Sequence, residues 1–87
     1  MMMTVIVVPR SGQGHFEKDF GLPFFPTEGT KLVLWSEEVG DSLEAVEVDY
    51  LYFDAITRIA RLWASSSATK EELSTHLLAS GGWTYVK

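Results

Sequence analysis

The sequence has no cysteine, few basic residues and no long apolar run, and each absence excludes a class of protein. Without cysteine, neither a disulfide framework nor a thiolate metal site is available. The seven Lys and Arg residues are scattered, whereas nucleic-acid binding needs clustered cations that neutralise phosphates. The longest apolar stretch, MMMTVIVV, is far shorter than the roughly 20 residues of a membrane-spanning helix, and it lacks the basic start of a signal peptide. We therefore expect a cytoplasmic protein whose partner is neither a membrane nor a nucleic acid.

Apolar and aromatic residues are abundant enough to form a core. Hydrophobic residues make up 46% of the 87 positions, with three Trp, three Tyr and five Phe. Aromatic side chains bury the most area per residue, which suits a chain too short for a large core. The net charge of −5 is of the size that keeps a small domain soluble. The length predicts a single domain over residues 1–87.

Alternating or β-branched apolar residues predict that most of the chain is β-structure. The predicted strands are residues 4–8, 30–36, 43–53, 58–64 and 83–86. Strict alternation in the third of these places Val46, Val48, Tyr50 and Tyr52 on one face. In the fourth, Ile59 and Trp63 lie opposite Ala60 and Leu62. Polar turns are predicted at residues 37–42 and 54–57.

A long connection, residues 9–29, separates the first two predicted strands. Pro23 and Pro26 cannot donate ladder hydrogen bonds, so they exclude a central strand around them. Four phenylalanines lie in the same segment, and we expect them to fold back over the core.

A single helix is predicted over about residues 69–80. Thr69 and Glu72 have the spacing of a capping box, in which each side chain accepts a hydrogen bond from the other residue's backbone N–H. Leu73 and Leu77 share a face. Gly81 supplies the residue that ends the helix.

The order of these elements predicts a mainly β, α+β fold. A long loop after strand 1, a tight hairpin and a helical segment before the last strand resemble a small five-stranded SH3-like barrel. An SH3 domain that binds proline-rich peptides has an aromatic–acidic run at the start of its long loop. Here the similar run DYLYFD, residues 49–54, lies in the third strand, so that function is not implied. An open antiparallel sheet covered by one helix is the alternative fold.

The segment SGQGHFE, residues 11–17, invites comparison with a phosphate-binding loop. A dinucleotide fingerprint needs G-x-G-x-x-G leading into a helix. Glu17 occupies the third glycine position, where its carboxylate would repel phosphate, and no helix is predicted after it. The pattern therefore favours a turn.

His15, Glu17 and Asp19 are spaced by two, so an extended chain points them the same way. One His and two carboxylates can bind Zn, Fe or Mn. A small metal-dependent hydrolytic enzyme using these residues is thus an alternative. The interleaved Phe16 and Phe20 explain the same spacing more simply, as an amphipathic segment with Phe inward and charge outward.

The favoured hypothesis is a non-enzymatic interaction or accessory protein without a cofactor or metal. Its partner would be an unknown protein or peptide, bound by the loop 10–25 and neighbouring aromatics, because exposed aromatic residues dominate binding surfaces. The predicted binding residues are Arg10, His15, Phe16, Phe20, Phe24, Phe25, Trp35, Tyr50 and Tyr52. Homo-oligomerisation through an exposed sheet edge is a variant of this hypothesis.

A third hypothesis rests on the acidic residues between positions 37 and 49: Glu37, Glu38, Asp41, Glu44, Glu47 and Asp49. If they share one face, the protein would be an acidic inhibitor or a nucleic-acid mimic.

Overall fold

The computed structural model describes residues 2–11, 13–34 and 45–87 of the chain, with the backbone alone at residues 79 and 80. The strands are β1 (Met2–Val8), β2 (His15–Gly21), β3 (Lys31–Leu32), β4 (Val46–Asp54), β5 (Ile59–Ser65) and β6 (Thr84–Val86). The helix α1 spans Lys70–Ser80, between β5 and β6. The predicted turn at 37–42 and parts of the predicted strands 30–36 and 43–53 lie outside the described residues.

The described strands form one mixed, curled half-barrel sheet with the order β3-β4-β5-β1-β2-β6. All neighbouring pairs are antiparallel except β1 and β5, which are parallel. The prediction of a mainly β, α+β fold with one helix is confirmed, but the five-stranded SH3-like barrel is not. The parallel pair also departs from the fully antiparallel alternative. It suits β1, whose consecutive residues Val5, Ile6 and Val7 are all buried, as in strands covered on both faces.

Strand β2 corrects the prediction of a long loop after strand 1. Residues 15–21 pair with β1 on one side and β6 on the other. The segment is therefore an interior strand, in which Phe16 lies opposite Val7 and is fully buried in the core. Its amphipathic alternation was visible in the sequence, but β6, one of its two pairing partners, is distant in the chain. The real connection is residues 22–30, which includes both prolines and contains no strand.

A β-bulge in β4 corrects the predicted facing of the tyrosines. The register with β5 shifts between Val48 and Tyr50, which leaves Asp49 as the extra residue. An extra residue reverses the alternation beyond it. Val48 therefore faces the core, whereas Tyr50 and Tyr52 face away from it.

The core lies between α1 and the sheet face that carries Val5, Phe16 and Leu62, against which Leu73 and Leu77 of the helix pack. The capping box is present as predicted: Glu72 N–H donates to Thr69 Oγ1, and Thr69 N–H donates to the Glu72 carboxylate. Gly81 follows the helix with φ of +83°, a conformation that glycine adopts without strain.

The hairpin between β4 and β5 is organised by Asp54. Its carboxylate accepts hydrogen bonds from the backbone N–H groups of Ile56 (2.9 Å) and Thr57 (3.2 Å). These two bonds, that of Thr57 foremost, hold the pKa of Asp54 below its ordinary value. Arg58 closes the turn with φ of +61°, a left-handed conformation that is strained for a side-chain-bearing residue.

Among the described residues, no helix has both the length and the apolar character needed to cross a membrane.

Candidate functional site

The sheet face opposite α1, here called the outer face, carries the residues that the core does not use. Strand registers bring Tyr50 of β4 beside Trp63 of β5, Trp63 beside Ile6 of β1, and Ile6 beside Glu17 of β2. Side chains at these paired positions point to the same side of the sheet. The outer face is thus one continuous surface built from strands that are far apart in sequence.

Four rings form a row across this surface, here called the aromatic row: Tyr52, Tyr50, Trp63 and His15. The ring centroids of Tyr52 and Tyr50 are 6.1 Å apart, and those of Tyr50 and Trp63 are 5.9 Å apart, with interplanar angles of 22° and 18°. These are offset-stacked geometries. His15 meets Trp63 at 5.6 Å with its ring tilted by 59°. Each ring therefore limits the freedom of the next, so the row is held in place before any ligand arrives.

The exposed end of the aromatic row is on β4. Tyr50 and Tyr52 leave 50% and 40% of their surface accessible, whereas Ile6 beneath the row is 1% exposed. Trp63 is half-buried, and its indole N–H has no hydrogen-bond partner among the described residues. Trp63 therefore forms the more buried part of the row, and Tyr50 and Tyr52 form its exposed part. Exposed aromatic residues of this kind are typical of binding surfaces.

Charge on the outer face is mainly negative. Its acidic side chains are Glu17, Asp19, Glu47, Asp49 and Asp54, and its basic ones in the described strands are Lys31 and Arg61. Asp49 sits beside the row and accepts a hydrogen bond from the Ser65 hydroxyl. Glu17 lies at the other end, where its carboxylate is 3.4 Å from His15 Nε2. Carboxylates therefore lie beside the row next to Tyr50 and at its His15 end.

The three predicted metal ligands, His15, Glu17 and Asp19, do share the outer face, but they do not converge. His15 contacts Glu17, whereas Asp19 accepts a 2.7 Å hydrogen bond from Thr4 Oγ1. Within the described part of the chain, no group of three or more His, Asp or Glu side chains is placed to hold a metal ion. This geometry gives no support to the metal-dependent hydrolytic alternative.

Gly14 has a structural reason to be glycine. Its φ is +84°, and a Cβ atom there would lie closer than 3.0 Å to the carbonyl oxygen of Val86 and 2.6 Å from the Tyr85 hydroxyl oxygen. The Tyr85 hydroxyl also donates to the Gln13 carbonyl. The turn before β2 is therefore shaped by the close approach of β6, and strand β2 follows it rather than the helix that a phosphate loop needs. Gly12 lies outside the described residues.

The predicted binding residues do not form one surface. His15, Tyr50 and Tyr52 join the aromatic row. Phe16 is buried in the core, and Phe20 packs against it with its ring 5.6 Å from that of Trp83.

The other predicted binding residues lie away from the row or cannot be placed. Phe24 and Phe25 are half-exposed in the connection 22–30, and Arg10 is exposed in the turn after β1. Trp35 lies outside the described residues, as do Glu37, Glu38, Asp41 and Glu44 of the acidic segment.

Trp63 is the member of the site that sequence reasoning missed. Alternation in β5 already placed it opposite Leu62, and Leu62 is fully buried. That pattern indicated the facing of Trp63. Its neighbours Tyr50 and His15 could not be known before the strand registers.

A polar pocket of about 220 Å³ adjoins the row on the β2 side, lined among others by Thr4, Glu17, Asp19, Arg61 and Thr84. Lys18 also lines it, and its Nζ donates to the carbonyl of Gly81, 3.1 Å away. A cation at this carbonyl is favoured by the negative end of the helix dipole. Lys18 therefore stabilises the C-terminal end of α1.

Comparison of the chain with protein-family models, with curated proteins and with solved structures finds no match. The assignment of a function therefore depends on the outer face itself.

Proposed function

We propose that this protein is a non-enzymatic interaction module that binds a protein or peptide through its outer face. The observation that carries the proposal is the aromatic row, in which Tyr50 and Tyr52 stack in register and keep about half of their surface open. Large aromatic residues that stay exposed on a strand face forgo burial free energy of about 25 cal/mol per Å². A partner that covers them recovers that free energy.

The location of the proposed surface differs from the sequence-based hypothesis. The loop 10–25 was expected to bind, but its Phe16 lies in the core and its residues 15–21 form β2. Part of that hypothesis is kept, namely His15 from the predicted loop and the neighbouring tyrosines. These three residues lie in one row, which Trp63 completes.

The experiment is a selection from a random peptide display library with the immobilised protein. We expect the wild-type protein to enrich a peptide family that the double variant Tyr50→Ser/Tyr52→Ser does not bind. Leu78→Ser is the matched control, because Leu78 is equally exposed but lies on α1. Thermal unfolding of all three proteins checks that the fold is kept. Failure to enrich any family, or equal binding by the double variant, would contradict the proposal.

A second copy of the chain is an alternative partner. Among the described residues, β3 pairs only with Val46 and Glu47 of β4, so residues 49–54 have no strand neighbour on that side. An unpaired, apolar strand edge is a template for pairing with another chain. Native mass spectrometry at two protein concentrations distinguishes this case, since a dimer would grow with concentration without any peptide.

A further inference from the structure

We infer that the outer face binds a basic segment of its partner, with a Lys or Arg side chain lying on the ring of Tyr50 or Tyr52. The inference rests on the proposed function and adds the chemistry of the ligand. Two independent properties of the surface support it: the exposure of the Tyr50 and Tyr52 side chains, and the excess of acidic over basic side chains around them.

The rings supply the first attraction. A cation is drawn to the electron-rich face of a Tyr or Trp ring when it lies within about 6 Å of the centroid. Within this molecule, Lys18 Nζ already lies 5.1 Å from the Phe20 centroid, and Lys70 Nζ lies 4.7 Å from that of Tyr85, so both of these rings carry an internal cation. In the described part of the chain, no cation is placed in this way over Tyr50, Tyr52 or Trp63. The exposed parts of Tyr50 and Tyr52 are where a cation from a partner would lie.

The carboxylates supply the second attraction. Asp49 lies next to Tyr50 in the β-bulge, and Glu17 lies beside His15 at the far end of the row. Successive strands of a sheet are about 4.8 Å apart, so the three strand steps from β4 to β2 separate these two ends by roughly 14 Å. A peptide laid across the strands in extended form advances about 3.3 Å per residue. Basic residues about four positions apart would thus reach both carboxylates, and a basic segment complements this surface better than an acidic or neutral one.

The test measures the affinity of three probe peptides for the full chain by isothermal titration calorimetry. The probes are 12-residue peptides in which glycine alternates with lysine, glutamate or serine. We expect the lysine peptide to bind, its affinity to fall when NaCl is raised from 50 to 500 mM, and the other two to bind at least tenfold more weakly. Absence of lysine-peptide binding at millimolar concentration, or equal binding of the serine peptide, would overturn the inference.

Two matched pairs of variants assign the effect to the named residues. Glu17→Gln removes one charge from the outer face and Glu71→Gln removes one from α1, so we expect only Glu17→Gln to weaken lysine-peptide binding, by about two- to fivefold. Equal effects of both would show a net-charge effect and refute the site. Tyr50→Phe keeps the ring and should retain binding, whereas Tyr50→Leu keeps only apolar bulk and should lose about twofold or more.

The outcomes separate this inference from the proposed function. If the display library yields neutral or apolar peptides that need Tyr50 and Tyr52, the proposed function holds and the basic partner is wrong. If the library yields nothing and the lysine peptide does not bind, both are wrong.

Discussion

Replacement of Gly14 by alanine tests whether the glycine of the GQG turn is required by packing. With φ of +84°, alanine at this position costs about 1–2 kcal/mol from backbone strain alone. The added methyl would also meet the Val86 carbonyl oxygen at less than 3.0 Å, and that atom belongs to the backbone and cannot turn away. Strand β6 must then move from β2, which weakens its three-residue pairing and the packing of Tyr85 on Phe16.

Loss of one or two backbone hydrogen bonds of about 1 kcal/mol each raises the expected destabilisation by Gly14→Ala to about 3 kcal/mol. The total stability of an 87-residue domain is about 4–13 kcal/mol, so the effect is large. Urea unfolding measures it directly, and the melting temperature should fall by roughly 12–24 °C.

Gly29→Ala is the control for this prediction. Gly29 has almost the same φ, +86°, but a Cβ atom there meets nothing within 4 Å. It should therefore show the strain alone, about 1 kcal/mol after the smaller unfolded-state entropy of alanine is allowed for. If Gly14→Ala destabilises no more than Gly29→Ala, the close approach of Val86 and Tyr85 does not require glycine at position 14.

Four further substitutions test the fold, each by urea unfolding. Leu62→Ala removes a fully buried side chain and should cost about 2–5 kcal/mol; less than about 1 kcal/mol would contradict its central place in the core. Thr69→Ala removes the capping bond and should cost about 1 kcal/mol, and unchanged stability would mean that the cap is not formed. Arg58→Gly should stabilise by up to about 1 kcal/mol, since it relieves a φ of +61°, and a loss of stability would show that the side chain matters more. Asp54→Asn should reduce stability at neutral pH and flatten its decline in acid. The folded-state pKa of Asp54 is lowered, so its stabilisation is present above the ordinary pKa of 3.8 and disappears as the pH falls through the lower folded value. A variant that keeps the wild-type slope below pH 4 would contradict this assignment.

Local sequence patterns predicted the elements that are stabilised by contacts between residues close together in the chain. The helix follows from its capping box and from the spacing of Leu73 and Leu77, and the structure places it within about one residue of the prediction. The hairpin follows from Asp54, whose carboxylate holds the turn. In both cases the stabilising contacts are made within a few residues of the chain.

Pairing between distant strands could not be predicted in the same way. Strand β2 becomes an interior strand only through its pairing with β6, near the end of the chain, and the parallel contact of β1 with β5 joins residues almost 60 positions apart. Three of the five pairings join consecutive strands, whereas β1–β5 and β2–β6 join strands that are distant in the chain, and nothing in the residue pattern indicates these two. Alternation alone indicated that residues 15–20 were amphipathic, but not that they were interior to a sheet.

The candidate site also combines a feature that the sequence predicted correctly with one that it predicted wrongly. The common facing of His15, Glu17 and Asp19 was predicted from their spacing. The facing of Tyr50 and Tyr52 was predicted wrongly, because a single bulge residue, Asp49, reverses the alternation and leaves no mark in the residue pattern. The aromatic row exists only because that reversal turns both tyrosines toward Trp63.

The most direct test of the account is a ¹H–¹⁵N NMR titration of the labelled protein with a peptide selected from the library. We expect the largest shifts on Tyr50, Tyr52 and Trp63, with the indole N–H of Trp63, which has no hydrogen-bond partner among the described residues, as a specific reporter. Shifts confined to α1 or to the connection that carries Phe24 and Phe25 would contradict the claim that the outer face is the binding surface.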